Sequence, residues 1–162
     1  MVIVVMGPAG AGKSTVGRAL ASKLGWAFVE GDDYHPPDNV AKIAAGTALT
    51  DADRAGWLDA LRGVIVRALD RREPTALACS ALTAAYRRRL DGGLRHVRFV
   101  YLRTPRSVLL ERLQRRTGHF VKASILDSQI AALEEPGDEA FAVDGTADIE
   151  TIVGHIRLEF GV

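Results

Sequence analysis

An α/β fold, with one parallel β-sheet between layers of helices, is predicted by the order of apolar segments along the chain. Strand-like runs alternate with helix-like segments from residue 2 to residue 160, and this alternation is typical of parallel sheets. The first run, at residues 2–6, is apolar at every position, as expected for a strand covered on both faces. Because 162 residues are the usual size of one compact domain, we expect a single domain over residues 1–162.

The remaining elements follow from residue spacing and from glycines that end segments. A glycine-rich turn leads from the first strand into a helix at 14–24, where apolar residues recur at helical spacing and Gly25 suits the C-cap. Apolar runs predict four further strands, at 26–29, 76–79, 96–102 and 140–143. Helical spacing predicts six further helices, at 38–45, 51–71, 83–90, 104–116, 124–133 and 149–160.

The composition argues against several classes of protein. With 21 basic and 20 acidic residues the net charge is +1, which gives no electrostatic case for nucleic-acid binding. Cys79 is the only cysteine, so no intrachain disulfide forms, and we expect a buried strand thiol. The apolar start is shorter than a signal peptide requires, and no segment approaches the roughly 20 apolar residues of a membrane helix. We therefore expect a cytoplasmic protein with no membrane partner.

A phosphate-binding loop is the clearest motif. Residues 7–14 read Gly-Pro-Ala-Gly-Ala-Gly-Lys-Ser, which fits G-x-x-x-x-G-K-[ST] in full and lies between a predicted strand and a predicted helix. Glycines let the backbone wrap around phosphates with its N–H groups inward, and the helix adds the positive end of its dipole. Lys13 is expected to reach the β- and γ-phosphates, and the Ser14 hydroxyl to bind Mg²⁺. The predicted ATP-binding residues are Gly7, Pro8, Ala9, Gly10, Ala11, Gly12, Lys13, Ser14 and Thr15.

The rest of the sequence narrows the class of phosphoryl acceptor. No Asn-Lys-x-Asp segment is present, which argues against a GTPase. The third predicted strand leads into Ser80, where motor and switch ATPases usually have an acidic residue. The chain is also just long enough for a core fold and one lid. These features favour a kinase that uses ATP and Mg²⁺ to phosphorylate a hydroxyl group of a small molecule.

Such a kinase needs a group that accepts the hydroxyl proton, usually a carboxylate near the γ-phosphate. The best candidates lie in the acidic segment 30–36, which follows the second predicted strand and contains Glu30, Asp32 and Asp33. In a parallel sheet, the carboxyl end of that strand is expected to neighbour the phosphate loop. An acidic loop that serves only solubility is the alternative interpretation of these residues.

At this point the chain resembles the gluconate kinase family of small P-loop kinases, which are relatives of shikimate and nucleoside monophosphate kinases. The resemblance runs through nearly the whole sequence. Besides the phosphate loop it rests on Gly31, Asp32, His35, Pro36, Asn39, Leu49, Asp51, Asp53, Arg54, Trp57, Leu58, residues 79–82, Tyr86, Arg87, residues 118–120, Gln129, Leu133, Glu134 and Pro136. The His-Pro pair, Cys-Ser-Ala-Leu with Tyr-Arg, and Gly-His-Phe are specific to gluconate kinases among P-loop proteins.

The resemblance implies phosphorylation of D-gluconate at its 6-hydroxyl group, giving 6-phosphogluconate and ADP for the pentose phosphate or Entner–Doudoroff routes. It also implies a three-layer fold with a five-stranded parallel sheet, a mobile lid at roughly 115–128 and a homodimer. Asp32 falls on the family position that looks like the general base and that touches Mg²⁺ through water.

The chemistry of gluconate indicates which side chains its site needs. Gluconate carries one carboxylate and a row of hydroxyl groups, so a guanidinium and several short polar groups are expected. Arg54 and Arg87 are the candidates for the carboxylate. Asp32 is expected at the reacting hydroxyl group, and the candidates for the other hydroxyl groups are His35, Asn39, Ser80 and His119.

Two arginines in the predicted lid region complete the set. Arg112 and Arg116 lie four residues apart and therefore share one helix face. By resemblance, Arg112 is expected to stack on adenine and Arg116 to meet the transferring phosphoryl group. A cation that reaches this group only on closure contributes about 10³–10⁵ in rate. The alternative is a basic helix end exposed to solvent.

Two residues depart from the family pattern, and other functions compete with the predicted one. Glu30 stands where the family often has aspartate, and Thr83 where a lysine often follows Ser-Ala-Leu. The alternatives are a kinase for another small acid or polyol such as shikimate, a nucleoside monophosphate kinase, and a non-catalytic nucleotide-binding module. The glycine triplet and arginine of shikimate kinases are absent after the third strand, and segment 34–53 shows no base-reading pocket.

Overall fold

A parallel β-sheet forms the centre of the molecule. The structure, a computed structural model, describes residues 1–115 and 123–162. Within these residues the sheet has five strands, all parallel, in the order β2-β3-β1-β4-β5. The strands are β1 (Val2–Met6), β2 (Ala27–Glu30), β3 (Thr75–Ala78), β4 (Val97–Arg103) and β5 (Ala140–Asp144). The predicted parallel α/β fold is confirmed, and each strand lies within about two residues of its predicted position.

The helices also agree with the prediction. They are α1 (Lys13–Leu24), α2 (Pro37–Ala44), α3 (Asp51–Asp70), α4 (Ala84–Asp91), α5 (Arg106–Arg115), α6 (Ala123–Ala132) and α7 (Ile149–Phe160). Side-chain caps explain why three of them begin where they do: Thr50 caps α3, Thr83 caps α4 and Asp148 caps α7. A short 3-10 helix, Gly31–Tyr34, occupies the segment that was expected to be a loop. It has no apolar periodicity from which it could be predicted.

Helices cover both faces of the sheet, as the apolar first strand requires. Every residue of β1 is at most 1% exposed. On one face the core contains Trp57, Leu61 and Ile65 of α3 together with Leu90 of α4. On the other face it contains side chains from α1, α5, α6 and α7, among them Leu20, Leu109, Leu126 and Ile156. In the part of the chain that the structure describes, no helix is both long and apolar enough to span a membrane.

The strand order corrects one expectation about the site. β3 lies between β1 and β2, because it pairs with β1 on one side and with β2 on the other. The end of β2 therefore does not adjoin the phosphate loop directly, and the segment after β3 separates the two. Sequence patterns give the order of strands along the chain and not their order across the sheet. The phosphate loop, Ser80 and Gly31 consequently follow one another along the carboxyl edge.

Candidate active site

The phosphate loop connects β1 to α1 and depends on its glycines. Gly10 and Gly12 have φ angles of 85° and 95°, in the left-handed region that favours glycine. A Cβ atom on Gly10 would lie 2.8 Å from the carbonyl oxygen of Leu109, so α5 could not approach the loop as closely. Gly12 is the N-cap of α1 and provides no side-chain cap. The first N–H groups of α1 are therefore suited to binding an anion such as a phosphate.

Two helices outside the motif hold the phosphate loop. Arg112 of α5 donates from Nη1 to the carbonyl oxygens of Gly10 and Ala11, at 3.5 and 3.4 Å, and from Nη2 to that of Gly145 at 2.9 Å. Gln129 of α6 accepts a hydrogen bond from the N–H of Ala9 at 2.7 Å. The predicted ATP residue Arg112 thus lies against the loop. The contact of Gln129 was not predicted, since the sequence offered this residue only as part of a resemblance.

The segment after β3, which contains buried Cys79, joins the phosphate loop at the carboxyl edge of the sheet. The N–H of Gly7 donates to the carbonyl oxygen of Ser80 at 3.3 Å, which joins the phosphate loop to the segment after β3. Burial raises the pKa of the Cys79 thiol to about 12; among nearby charges, Asp32 raises this pKa further and Lys13 lowers it. The phosphate loop follows β1 and Asp32 follows β2, so both lie at the carboxyl edge of the parallel sheet. A general base and a phosphate site at the same edge are what phosphoryl transfer to a hydroxyl group requires.

Trp57 holds the turn that carries Asp32. Its indole N–H donates to the carbonyl oxygen of Gly31 at 2.8 Å, and its ring stacks on His35 with centroids 4.3 Å apart and planes 13° apart. Gly31 packs so tightly on β3 that a Cβ atom there would collide with the carbonyl oxygen of Ala78. The carboxylate of Asp32, 72% exposed, consequently projects from a fixed backbone into solvent.

His35 is oriented towards Asp32. Its Nδ1 lies 3.4 Å from the amide nitrogen of Asn39, and its Nε2 lies 4.0 Å from Oδ1 of Asp32. Burial lowers the pKa of His35, Asp32 opposes this effect, and the positive charge of Arg54 adds to it. The ring is therefore neutral at neutral pH. Because Asn39 can donate only to an unprotonated Nδ1, the proton belongs on Nε2, on the side of Asp32.

Asn39, a predicted ligand of the gluconate hydroxyl groups, is buried between α2 and α3. It is 3% exposed and donates from its amide nitrogen to the carbonyl oxygen of Asp53 at 2.8 Å. Lys42 of α2 also contacts α3, through a 2.6 Å hydrogen bond to the carboxylate of Asp53. This hydrogen bond and those from Thr50 lower the pKa of Asp53 to about 2. Asn39 therefore helps to orient His35, and its contact with a substrate hydroxyl group stays a prediction.

Of the two arginines proposed for the carboxylate, Arg54 is the more exposed one and lies near the start of α3. Its side chain is 19% exposed, and its Nη1 donates to the hydroxyl oxygen of Tyr86 at 3.2 Å. Asn39 contacts His35 and also donates to the carbonyl oxygen of Asp53, the residue before Arg54, so the start of α3 lies beside His35.

Arg87 points into the protein and has a structural role there, while its role in substrate binding stays a prediction. Its side chain is 4% exposed; Nε donates to Glu139 at 2.7 Å, and Nη1 donates to the carbonyl oxygens of Ala81, Leu82 and Glu134. Ala81 has a φ angle of 41°, which is unfavourable for a residue with a Cβ atom. The guanidinium thus stabilises the strained turn after Ser80. The sequence could not reveal which side of α4 faces inward at position 87.

The other predicted residues have the following places. Ser14 and Thr15 are in the first turn of α1, and Ser80 is half-buried at the sheet edge. Arg116 and His119, like all of residues 116–122 in the predicted lid, lie outside the described residues. Of the two departures from the family pattern, Glu30 lies 3.9 Å from Arg18, and Thr83 accepts a hydrogen bond from the N–H of Tyr86 at 3.2 Å.

Known proteins that are similar to this chain include two curated gluconokinases and two solved kinase structures. A family model described as an AAA domain matches residues 2–136. The chain is 42% identical to a gluconokinase of Gluconobacter oxydans, over 97% of this chain and 92% of that protein. It is 38% identical to the thermosensitive gluconokinase of Escherichia coli, over 95% and 84%. A solved gluconokinase from Sinorhizobium meliloti superposes with a TM-score of 0.85 at 42% identity, covering 99% and 94%. A shikimate kinase from Aquifex aeolicus, with a TM-score of 0.70 and 21% identity over 99% and 96%, shares the fold.

The structural role of Arg87 can be measured directly. Arg87→Met leaves buried carbonyl oxygens without donors, so the free energy of unfolding should fall by about 2–4 kcal/mol, measured by urea denaturation. Arg88→Met is the matched control, because Arg88 is exposed on the same helix. Equal stability of the two variants would contradict this role.

Proposed function

This chain belongs to the gluconokinase family, and we propose that it transfers the γ-phosphoryl group of ATP to the 6-hydroxyl group of D-gluconate, giving 6-phosphogluconate and ADP. The observation that carries the proposal is the position of Asp32 and His35 at the same carboxyl sheet edge as a complete phosphate loop. Arg54 lies on the first turn of α3, which Asn39 links to His35. A general base, a neutral hydrogen-bond donor and a guanidinium are the groups that a sugar acid requires beside ATP.

The phosphate loop and α1 bind the triphosphate. Backbone N–H groups of the loop and the positive end of α1 attract the phosphate oxygens, and Lys13 neutralises charge on the β- and γ-phosphates. Arg112, which lies against the loop, is the candidate for contact with the adenine ring. Arg116 is proposed from the family resemblance alone as the cation that meets the transferring phosphoryl group.

Asp32 is the proposed general base. As the 6-hydroxyl oxygen attacks the γ-phosphorus atom, its proton passes to the carboxylate of Asp32 and the bond to the β-phosphate oxygen breaks, releasing ADP. The neutral His35 carries its proton on Nε2, which lies 4.0 Å from Oδ1 of Asp32, so it is placed to donate to a hydroxyl group of a substrate bound beside the base. Ser80, whose carbonyl oxygen accepts from the N–H of Gly7, joins the phosphate loop to the segment after β3, and its hydroxyl group is a proposed ligand of a gluconate hydroxyl group.

Arg54 is the proposed ligand of the gluconate carboxylate. A planar guanidinium binds a carboxylate through two parallel hydrogen bonds, which fixes both the position and the direction of the sugar chain. With the carboxylate held at one end, the hydroxyl group at the far end of the six-carbon chain is presented to Asp32. This arrangement favours the 6-hydroxyl group over those nearer the carboxylate.

The residues present fit a magnesium ion bound mainly through phosphate oxygens and water. Among the described residues no group of three or more histidine, cysteine or acidic side chains gathers to hold a metal, and Mg²⁺ in kinases needs only one or two protein ligands. Ser14 at the start of α1 would hold the ion directly, and Asp32 would hold it through water. The ion supplies charge neutralisation at the β- and γ-phosphate oxygens.

The first test is a coupled assay of ADP release with Mg-ATP and a panel of acceptors: gluconate, shikimate, glycerate and nucleoside monophosphates. We expect strong stimulation by gluconate alone, because only this acceptor carries a carboxylate and a primary hydroxyl group at opposite ends of a six-carbon chain. Stimulation by another acceptor would support kinase activity but reject gluconate as the substrate. Binding of ATP without turnover of any acceptor would favour a nucleotide-binding module.

The role of Asp32 is tested by Asp32→Asn, which removes the proton acceptor with little change in shape. The kcat should fall by at least about 10²-fold, the usual scale of general-base catalysis, while ATP binding measured by calorimetry stays close to that of the wild type. Asp33→Asn is the control, since Asp33 is the exposed neighbour on the same turn. Wild-type kcat in Asp32→Asn would reject the assignment.

A further inference from the structure

Arg54 contacts a tyrosine on the next helix. Tyr86 of α4 donates from its hydroxyl group to Oδ1 of Asp51, and its hydroxyl oxygen accepts from Nη1 of Arg54 at 3.2 Å. The same Nη1 lies 3.8 Å from Oδ1 of Asp51, and the guanidinium carbon lies 5.7 Å from the centre of the Tyr86 ring. The three side chains form a closed network.

We propose that Tyr86 is a positioning residue: its hydroxyl group fixes the plane of the Arg54 guanidinium and thereby sets the affinity of the site for the carboxylate end of the sugar acid. The inference rests on the proposed role of Arg54 in gluconate binding. It assigns a function to a residue that touches neither substrate nor nucleotide in the proposed mechanism.

Capping hydrogen bonds fix the backbone of this network, because the N-caps of α3 and α4 lie close to its three residues. Asp51 and Arg54 are three residues apart on the first turn of α3, whose start is fixed by reciprocal hydrogen bonds between Thr50 and Asp53. Tyr86 lies in the first turn of α4, where its own N–H donates to the capping hydroxyl group of Thr83. Thr83, one of the two departures from the family pattern, therefore fixes the backbone of Tyr86, and the hydroxyl group of Tyr86 contacts Arg54.

The direction of the hydrogen bonds explains why a phenol suits this position. Burial and the hydrogen bond to Asp51 both raise the pKa of Tyr86, so the hydroxyl group remains protonated at any physiological pH. It can then donate to Asp51 and at the same time accept from Arg54. By satisfying Asp51, whose carboxylate is 88% exposed, Tyr86 weakens the competition of that carboxylate for the guanidinium.

A fixed plane matters because carboxylate recognition by arginine is directional. An arginine side chain free to rotate loses conformational entropy when it binds, whereas one whose Nη1 is already held loses less. Tyr86→Phe keeps the ring and its packing and removes only the hydroxyl group. The KM for gluconate should rise about tenfold, the upper range for one hydrogen bond, while kcat and the KM for ATP stay within about twofold.

The decisive experiment combines this variant with Arg54→Lys, which keeps the charge but removes the planar fork. Arg54→Lys alone should raise the KM for gluconate, and Tyr86→Phe should raise it no further in that background, because Tyr86 acts through Arg54. Tyr101→Phe is the matched control: Tyr101 is also buried, on β4, and its variant should leave the KM for gluconate unchanged.

The outcomes separate the two proposals. If Arg54→Lys leaves the KM for gluconate unchanged, Arg54 does not bind the carboxylate, and both its proposed role and this inference are wrong. If Arg54→Lys raises the KM but Tyr86→Phe does not, or if Tyr86→Phe raises it equally in both backgrounds, the positioning role of Tyr86 is wrong and the role of Arg54 stands.

Discussion

The hydrogen bond from Trp57 to the carbonyl oxygen of Gly31 is the contact on which the acceptor side of the site depends. It ties α3, the longest of the described helices, to the turn that follows β2. The same indole ring stacks on His35, so one buried side chain positions both the proposed base and its neighbour. Because Gly31 also packs on β3, the position of Asp32 is set relative to the sheet and hence to the phosphate loop.

The two halves of the site are held by different pairs of helices. On the nucleotide side, α5 and α6 contact the phosphate loop through Arg112 and Gln129. On the acceptor side, α3 and α4 supply the polar network around Arg54, and Arg87 fixes the strained turn at Ala81. Groups that must meet a transition state within a fraction of an ångström are thus mounted on capped helices and a buried sheet.

Much of this arrangement could be predicted from the sequence, and the failures have physical reasons. Local spacing predicted the elements, and a contiguous motif predicted the phosphate loop. The strand order, with β3 between β1 and β2, depends on tertiary packing, which local spacing does not encode. The inward direction of Arg87 and the contact of Gln129 with Ala9, 120 residues away, depend on how helices rotate and pack. The resemblance marked these residues without saying what they touch.

The central claim is that gluconate lies between Arg54 and Asp32 with its 6-hydroxyl group facing the phosphate loop. A crystal structure with gluconate and a non-hydrolysable ATP analogue tests it most directly. The account predicts the carboxylate on the Arg54 guanidinium and the 6-hydroxyl oxygen at about 2.6–3.2 Å from a carboxylate oxygen of Asp32. A gluconate whose carboxylate binds another cation, or whose 6-hydroxyl group lies away from Asp32, would contradict it.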